Sequence, residues 1–166
     1  VLTSWTISAG TLAISDNSSL GNAAGGLTFN GGTLQTSSGA PTIAIDRAID
    51  LQAGGGTIDT LADTVMNGNI SGVGGLTKTG ISKLSLGGNN TYTGATVVNG
   101  GVLAVGAANM FSAVSATTIN SGGTVDLGGF AQTINSVTLA GGTLTNGSLT
   151  GAVTSTGGNL ATSAVA

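Results

Sequence analysis

The sequence predicts an all-β chain wound as a parallel β-solenoid, about seven coils of roughly 21 residues each. Three observations point there. Of 166 residues 31 are Gly and one is Pro, and all six acids are Asp, so the helix-favouring Glu is missing while the turn-favouring acid is kept. Apolar and polar residues alternate in short runs closed by Gly or Asn: Leu12-Ala13-Ile14, Leu27-Thr28-Phe29, Ile43-Ala44-Ile45, Leu84-Ser85-Leu86, Val137-Thr138-Leu139. A period of two with such punctuation is the strand signature. Third, one corner phrase returns along the whole chain.

That phrase orders the elements. It reads Ala9-Gly10-Thr11-Leu12, Gly31-Gly32-Thr33-Leu34, Gly55-Gly56-Thr57-Ile58, Gly74-Gly75-Leu76-Thr77, Gly100-Gly101-Val102-Leu103, Gly122-Gly123-Thr124-Val125 and Gly141-Gly142-Thr143-Leu144, with Gly157-Gly158-Asn159-Leu160 as a weaker last copy. Successive copies are spaced by about 22, 24, 19, 26, 22, 19 and 16 residues. Each copy is expected to open a strand at a sharp corner, where Gly reaches positive φ without steric cost. Asn-Gly at 30–31, 67–68, 99–100 and 146–147 gives the same signal. Leu12, Leu34, Ile58, Leu103, Val125 and Leu144 should then stack as one internal ladder. Thr11, Thr33, Thr57, Thr124 and Thr143 should face the other way. A series of hairpins is the rival arrangement, but hairpins alone do not explain a corner recurring at a near-constant period.

Composition excludes several functions. Charged residues make up 5% of the chain, net charge is −3 and mean hydropathy is +0.42, the opposite of a disordered chain. Arg47, Lys78 and Lys83 are the only cations, too few for a phosphate footprint, so no nucleic-acid partner is expected. With no Cys and no His there is no disulfide, no thiolate or imidazole metal site, and no His-based triad. No run approaches a membrane-spanning helix, and five aromatics cannot form barrel girdles. Val1-Leu2-Thr3-Ser4-Trp5 carries neither Met nor a leader pattern and reads as a cut inside a longer protein.

Residues 72–105, GVGGLTKTGISKLSLGGNNTYTGATVVNGGVLAV, resemble the autotransporter-associated β-strand repeat of Gram-negative type V secretion passengers. The resemblance is carried by Gly74-Gly75-Leu76-Thr77-Lys78, Leu84-Ser85-Leu86, Asn90-Thr91-Tyr92-Thr93-Gly94 and Gly100-Gly101-Val102-Leu103. The flanks Leu27 to Gln35 and Leu127 to Ile134 look similar. Ser82-Lys83 departs from the more usual Gly-Thr before the Leu-x-Leu strand. The resemblance implies a right-handed parallel β-helix over 1–166, a single segment of a longer passenger at the cell surface or secreted, with the repeat aiding export and folding. Gly74, Gly75, Leu76, Thr77, Lys78, Asn90, Thr91, Tyr92, Thr93, Gly94, Gly100 and Gly101 are its structural motif. The lack of Cys fits export of an unfolded chain through a narrow pore.

No catalytic residue, cofactor or metal is expected. Asp59 and Asp63, near Asp46, Arg47 and Asp50, are the candidates for the carboxylate pair of a polysaccharide hydrolase or lyase, with Asp126 a third. The alternative reading is of solvated turn residues with a weak surface pair Asp46–Arg47. Gly54-Gly55-Gly56-Thr57-Ile58-Asp59-Thr60-Leu61 half-resembles a calcium nonapeptide but is not tandem. Gly72 to Lys78 lacks the helix a phosphate cradle needs, and adjacent strand residues such as Ser82 and Lys83 point apart. Lys78 and Lys83 are expected as solvated charges near a corner. Trp5, Tyr92 and Phe111 are sugar platforms in one reading and corner fillers in the other. The expected function is a non-catalytic structural and adhesive segment, contacting host cells or matrix. A β-helix polysaccharide enzyme, a self-associating rod and an ice-binding solenoid are the alternatives; threonine arrays on ice-binding solenoids favour Thr-x-Thr in every coil.

Overall fold

A computed structural model describes residues 4–38 and 42–166. The amino-terminal reading of Val1-Leu2-Thr3 and the lone Pro41 lie outside the described residues. Among the described residues, twenty short strands and one 3-10 turn, Asn17–Leu20, account for the regular structure. The strands form three sheets of four, nine and seven members, and every strand pairing is parallel. A hairpin series would pair neighbours in antiparallel fashion; here the antiparallel contact is confined to one isolated bridge, Asn120 with Gly141. The fold is the predicted all-β solenoid, with about eight turns instead of about seven: nine strands stacked in one sheet mark eight steps.

The coil length follows from the register. In the nine-stranded sheet Ile58 pairs with Lys78, then Val98, Ile119 and Leu139, a step of 20 or 21 residues each time. Each strand is three to five residues long for the most part, buried on alternate positions. Inward positions fill a single continuous core, from Ile7 to Leu149, of Leu, Ile and Val with Phe29, Met66, Tyr92 and Phe111. Backbone groups pair along the rod axis, coil to coil, which satisfies them without a second layer.

The single internal ladder of the sequence reading divides into two. Leu12, Leu34 and Ile58 pair in the nine-stranded sheet. Leu103, Val125 and Leu144 pair in the seven-stranded sheet, continuing Thr64 and Leu84. The corner phrase changes sheets inside the interval of about 26 residues. One coil after Gly75 its place is taken by Ala95, whose carbonyl receives the Leu76 amide. Gly100-Gly101 lies further on, at the start of the strand Gly101–Val105 in the seven-stranded sheet. A repeated phrase therefore marks two different corners, the first of which also accepts the small side chains of Ala95, Ala116 and Ser136 in later coils.

The same division applies to threonine. In the nine-stranded sheet Thr11, Thr33, Thr57, Thr77, Val97, Thr118, Thr138 and Thr154 are in register along the outer surface. Thr124 and Thr143 belong to the seven-stranded sheet, in a row with Lys83 and Val102. Seven threonines on one line is a longer array than the corner phrase alone suggests, since Thr77, Thr118, Thr138 and Thr154 stand outside the Gly-Gly-Thr pattern.

Candidate functional site

The four-stranded sheet ends at Ile70–Gly72. The chain still passes over that face in the next coil, and Thr91 and Thr93 amides donate to the Ile70 and Gly72 carbonyls. Beyond it, side chains replace the backbone ladder. Asn90 is buried; its Oδ1 accepts from the Ile70 amide at 3.0 Å and its Nδ2 donates to the Met110 carbonyl at 2.6 Å. The Met110 amide donates to Gln132 Oε1 at 2.9 Å, and Gln132 Nε2 donates to the Ala107 carbonyl. One row of amides thus joins four coils through carboxamides instead of strand pairing. The face regains strand pairing only where Ala131–Thr133 meets Ser148–Thr150.

Tyr92 lies beside this splice and is fully buried. Its hydroxyl bonds Thr96 Oγ1 at 2.6 Å, and Thr96 Oγ1 lies 3.1 Å from Ser115 Oγ. Ser115 Oγ donates to the Gly94 carbonyl and Ser112 Oγ to the Tyr92 carbonyl. Burial pushes the phenol up to about 12, with the Thr96 hydrogen bond acting against it. Tyr92 and Phe111 are therefore inside the rod and cannot serve as sugar platforms. Trp5 is half-buried, its indole N–H donating to the Leu20 carbonyl.

The glycines of the same stretch are set by close approach more than by φ. A Cβ on Gly74 would stand 1.9 Å from the Gln52 carbonyl oxygen, and one on Gly75 2.5 Å from that of Ala95. Gly101 combines both constraints: φ is +62°, and a Cβ would meet the Gly80 and Ser82 carbonyls at 2.6 Å. Positive φ at every Gly pair was the expectation; Gly74 and Gly75 do not use it.

Lys78 corrects the expectation of a solvated charge. It points inward from the strand Leu76–Thr79, in the row of Ile58 and Val98. Its ammonium donates to the carbonyls of Thr79 at 2.6 Å, Gly100 at 3.0 Å and Gly80 at 3.1 Å. Burial depresses it to about 8, opposed by the attraction of Asp59. Lys83 is exposed, 4.0 Å from Asp63 Oδ2.

Arg47 is a second correction: no surface pair with Asp46 forms. The guanidinium is buried and donates to the Gly25, Gly21, Asn22, Asn17 and Leu20 carbonyls and to Asn17 Oδ1. It fastens the surface excursion that begins at Asp16, whose carboxylate caps the 3-10 turn through the Ser18 amide. Asp46 instead accepts from Asn67.

The carboxylates considered for catalysis are held separately. Asp59 faces outward with Thr57, bonded to Gln35 and Thr79. Asp63 receives the Lys83 amide, and Asp126 receives the Gly128 amide and Asn146. Among the described residues no three acids gather as metal ligands.

The outer surface offers a more extended feature. Beside the threonine row, on the corner side, Ala116, Ser136 and Ala152 are in register, and the same register places Gly55, Gly75 and Ala95 before them. The result is a trough, with a cavity of about 260 Å³ over Gly54, Gly55, Gly75 and Ala95 walled by Thr57, Thr77 and Val97. Gly31 and Ala53 also line it. Sequence reasoning missed this trough, because its glycines and alanines were absorbed as corner residues. The signal was present in the position of each small residue two places before a strand threonine.

Residues 76–105 match the passenger-associated-transport-repeat family, inside the 72–105 stretch singled out from the sequence. The chain is also 40% identical over 157 aligned residues to the adhesin BmaC autotransporter of Brucella suis biovar 1 (strain 1330). That alignment takes in 82% of this chain but about 4% of the relative, which is a far longer protein. No solved structure matches the chain. Among the described residues no helix is long and apolar enough to cross a membrane. The two matches make the chain similar to autotransporter-passenger sequence, with a transport repeat at residues 76–105, and support an address at or outside the surface of a Gram-negative bacterium.

Proposed function

We propose that this autotransporter-passenger segment is a non-catalytic structural and adhesive part of the displayed passenger. It supports export and folding of the longer chain and takes part in contact with host cells or matrix. The observation that carries the reading is the coincidence of the matched stretch with the carboxamide splice. Asn90 lies inside residues 76–105, and its partners Ile70 and Met110 lie in the coils before and after. Such a coil closes only when its neighbours are in place, so folding proceeds by docking each new coil on the last. A rod that grows outside the cell this way resists sliding back. The adhesive part is supported by the likeness to a protein named as an adhesin. With charge so sparse, contact rests on Ser, Thr and Asn hydrogen bonds and should vary little with salt.

The test is Asn90→Ala with Ser112→Ala in the full-length passenger. Slower appearance at the surface and greater protease sensitivity of the exported chain are expected. Unchanged export and protease resistance overturn the export and folding reading. Adhesion is measured separately, with the purified chain on beads against cultured cells and matrix; no retention above a blocked bead overturns that part.

A further inference from the structure

We infer that the trough beside the threonine row binds an uncharged, linear β-1,4-linked glycan lying along the rod axis. This deepens the adhesive reading by naming the chemistry of a ligand. The first argument is unused hydrogen-bonding capacity. The inward Thr36, Thr60, Thr64 and Thr96 all bond neighbours. On the outer row, Thr57 and Thr77 at the cavity and Thr118 and Thr138 beyond it donate to no protein group among the described residues. The row is a line of free donors and acceptors, one per coil except where Val97 stands between Thr77 and Thr118.

The second argument is spacing. Coils follow one another at about 4.8 Å, and an extended β-1,4-linked sugar chain advances by a similar distance per unit. A chain in the trough can therefore meet one threonine hydroxyl per sugar over several coils. The third is the character of the walls. The lining is mostly Gly and Ala (Gly31, Ala53, Gly54, Gly75 and Ala95), open enough for a ring, while Thr57 and Thr77 bring hydroxyls to one wall. A pyranose ring has the same division, hydroxyls on its edge and C–H groups on its faces. No charged side chain lines the cavity, which disfavours acidic glycans and nucleic acid. A threonine sheet for ordering ice would be flat, with Thr-x-Thr in each coil; here the neighbouring row is recessed.

The experiment uses the 166-residue chain, its β-rich fold verified by circular dichroism, with cellotriose and cellohexaose as calorimetric probes. Cellohexaose should bind at least about tenfold tighter than cellotriose, through more simultaneous contacts, and with little change from low to high salt. Thr57→Val with Thr77→Val should weaken cellohexaose binding about tenfold, the loss of two hydroxyl contacts. Valine suits an outward strand position, so the fold is retained. Ala95→Tyr should block the trough, and Val97→Thr, which completes the row, should tighten binding about threefold. No binding of cellohexaose, binding unmoved by the Thr→Val pair, or ice shaping without glycan binding overturns the inference. Adhesion to cells that persists without glycan binding overturns this inference and leaves the adhesive reading standing.

Discussion

Lys78 gives the rod a pH dependence that a nearly uncharged protein would otherwise lack. Burial lowers its ammonium from the ordinary 10.5 to about 8 in the folded chain. Between those values the unfolded chain binds more proton than the folded one, so stability rises with pH. The contribution is complete above about 10.5 and lost as pH falls through about 8. Full burial over that interval would be worth about 3 kcal/mol. The ammonium sits at a part-buried corner among three carbonyls, so on the order of 2 kcal/mol is the expected gain. Tyr92 acts in the opposite sense at higher pH. Its folded value is raised to about 12, so the stability it contributes is full below about 10 and lost as pH rises toward 12. Urea denaturation followed by circular dichroism, at constant ionic strength from pH 7 to beyond about 11, should show a midpoint that climbs and then falls. Lys78→Met should remove the climb and Tyr92→Phe the fall. A wild-type midpoint that is level between pH 8 and 10, or a climb that survives in Lys78→Met, refutes the burial of this lysine as the cause.

Gly74→Ala should lower the unfolding free energy measured in urea by about 2 kcal/mol or more, since its Cβ would overlap a backbone carbonyl that cannot turn aside. Gly106→Ala, with open space around it, should stay within about 0.5 kcal/mol of the parent in the same assay. Arg47→Met removes the guanidinium from five carbonyls between Asn17 and Gly25, of which Leu20 keeps the Trp5 indole and Asn22 the Gly25 amide; about 3 kcal/mol of destabilisation is expected. Limited proteolysis should then cut first within that excursion. Leu84→Ala, in the middle of the seven-stranded sheet's inner row, should cost about 2 to 5 kcal/mol by calorimetry, with strand pairing intact by infrared spectroscopy.

The sequence by itself determined the class of fold, because strand alternation and a corner residue per coil are local properties. Leu84-Ser85-Leu86 and Val137-Thr138-Leu139 are buried on the positions their alternation required. It also determined that the outer surface would carry little charge. What it did not determine was which corner each Gly pair occupies, since Gly75 and Gly101 are interchangeable on paper and lie in different sheets. The single ladder split in two for that reason. Nor could a list of three cations reveal which were buried. Lys83 and Lys78 are five residues apart on successive strands, yet one faces solvent and the other fills a core position. Arg47 depends on carbonyls more than twenty residues earlier in the chain. Those placements arise from contacts between coils, as does the threonine row, whose members become neighbours only when one coil lies in register on the next.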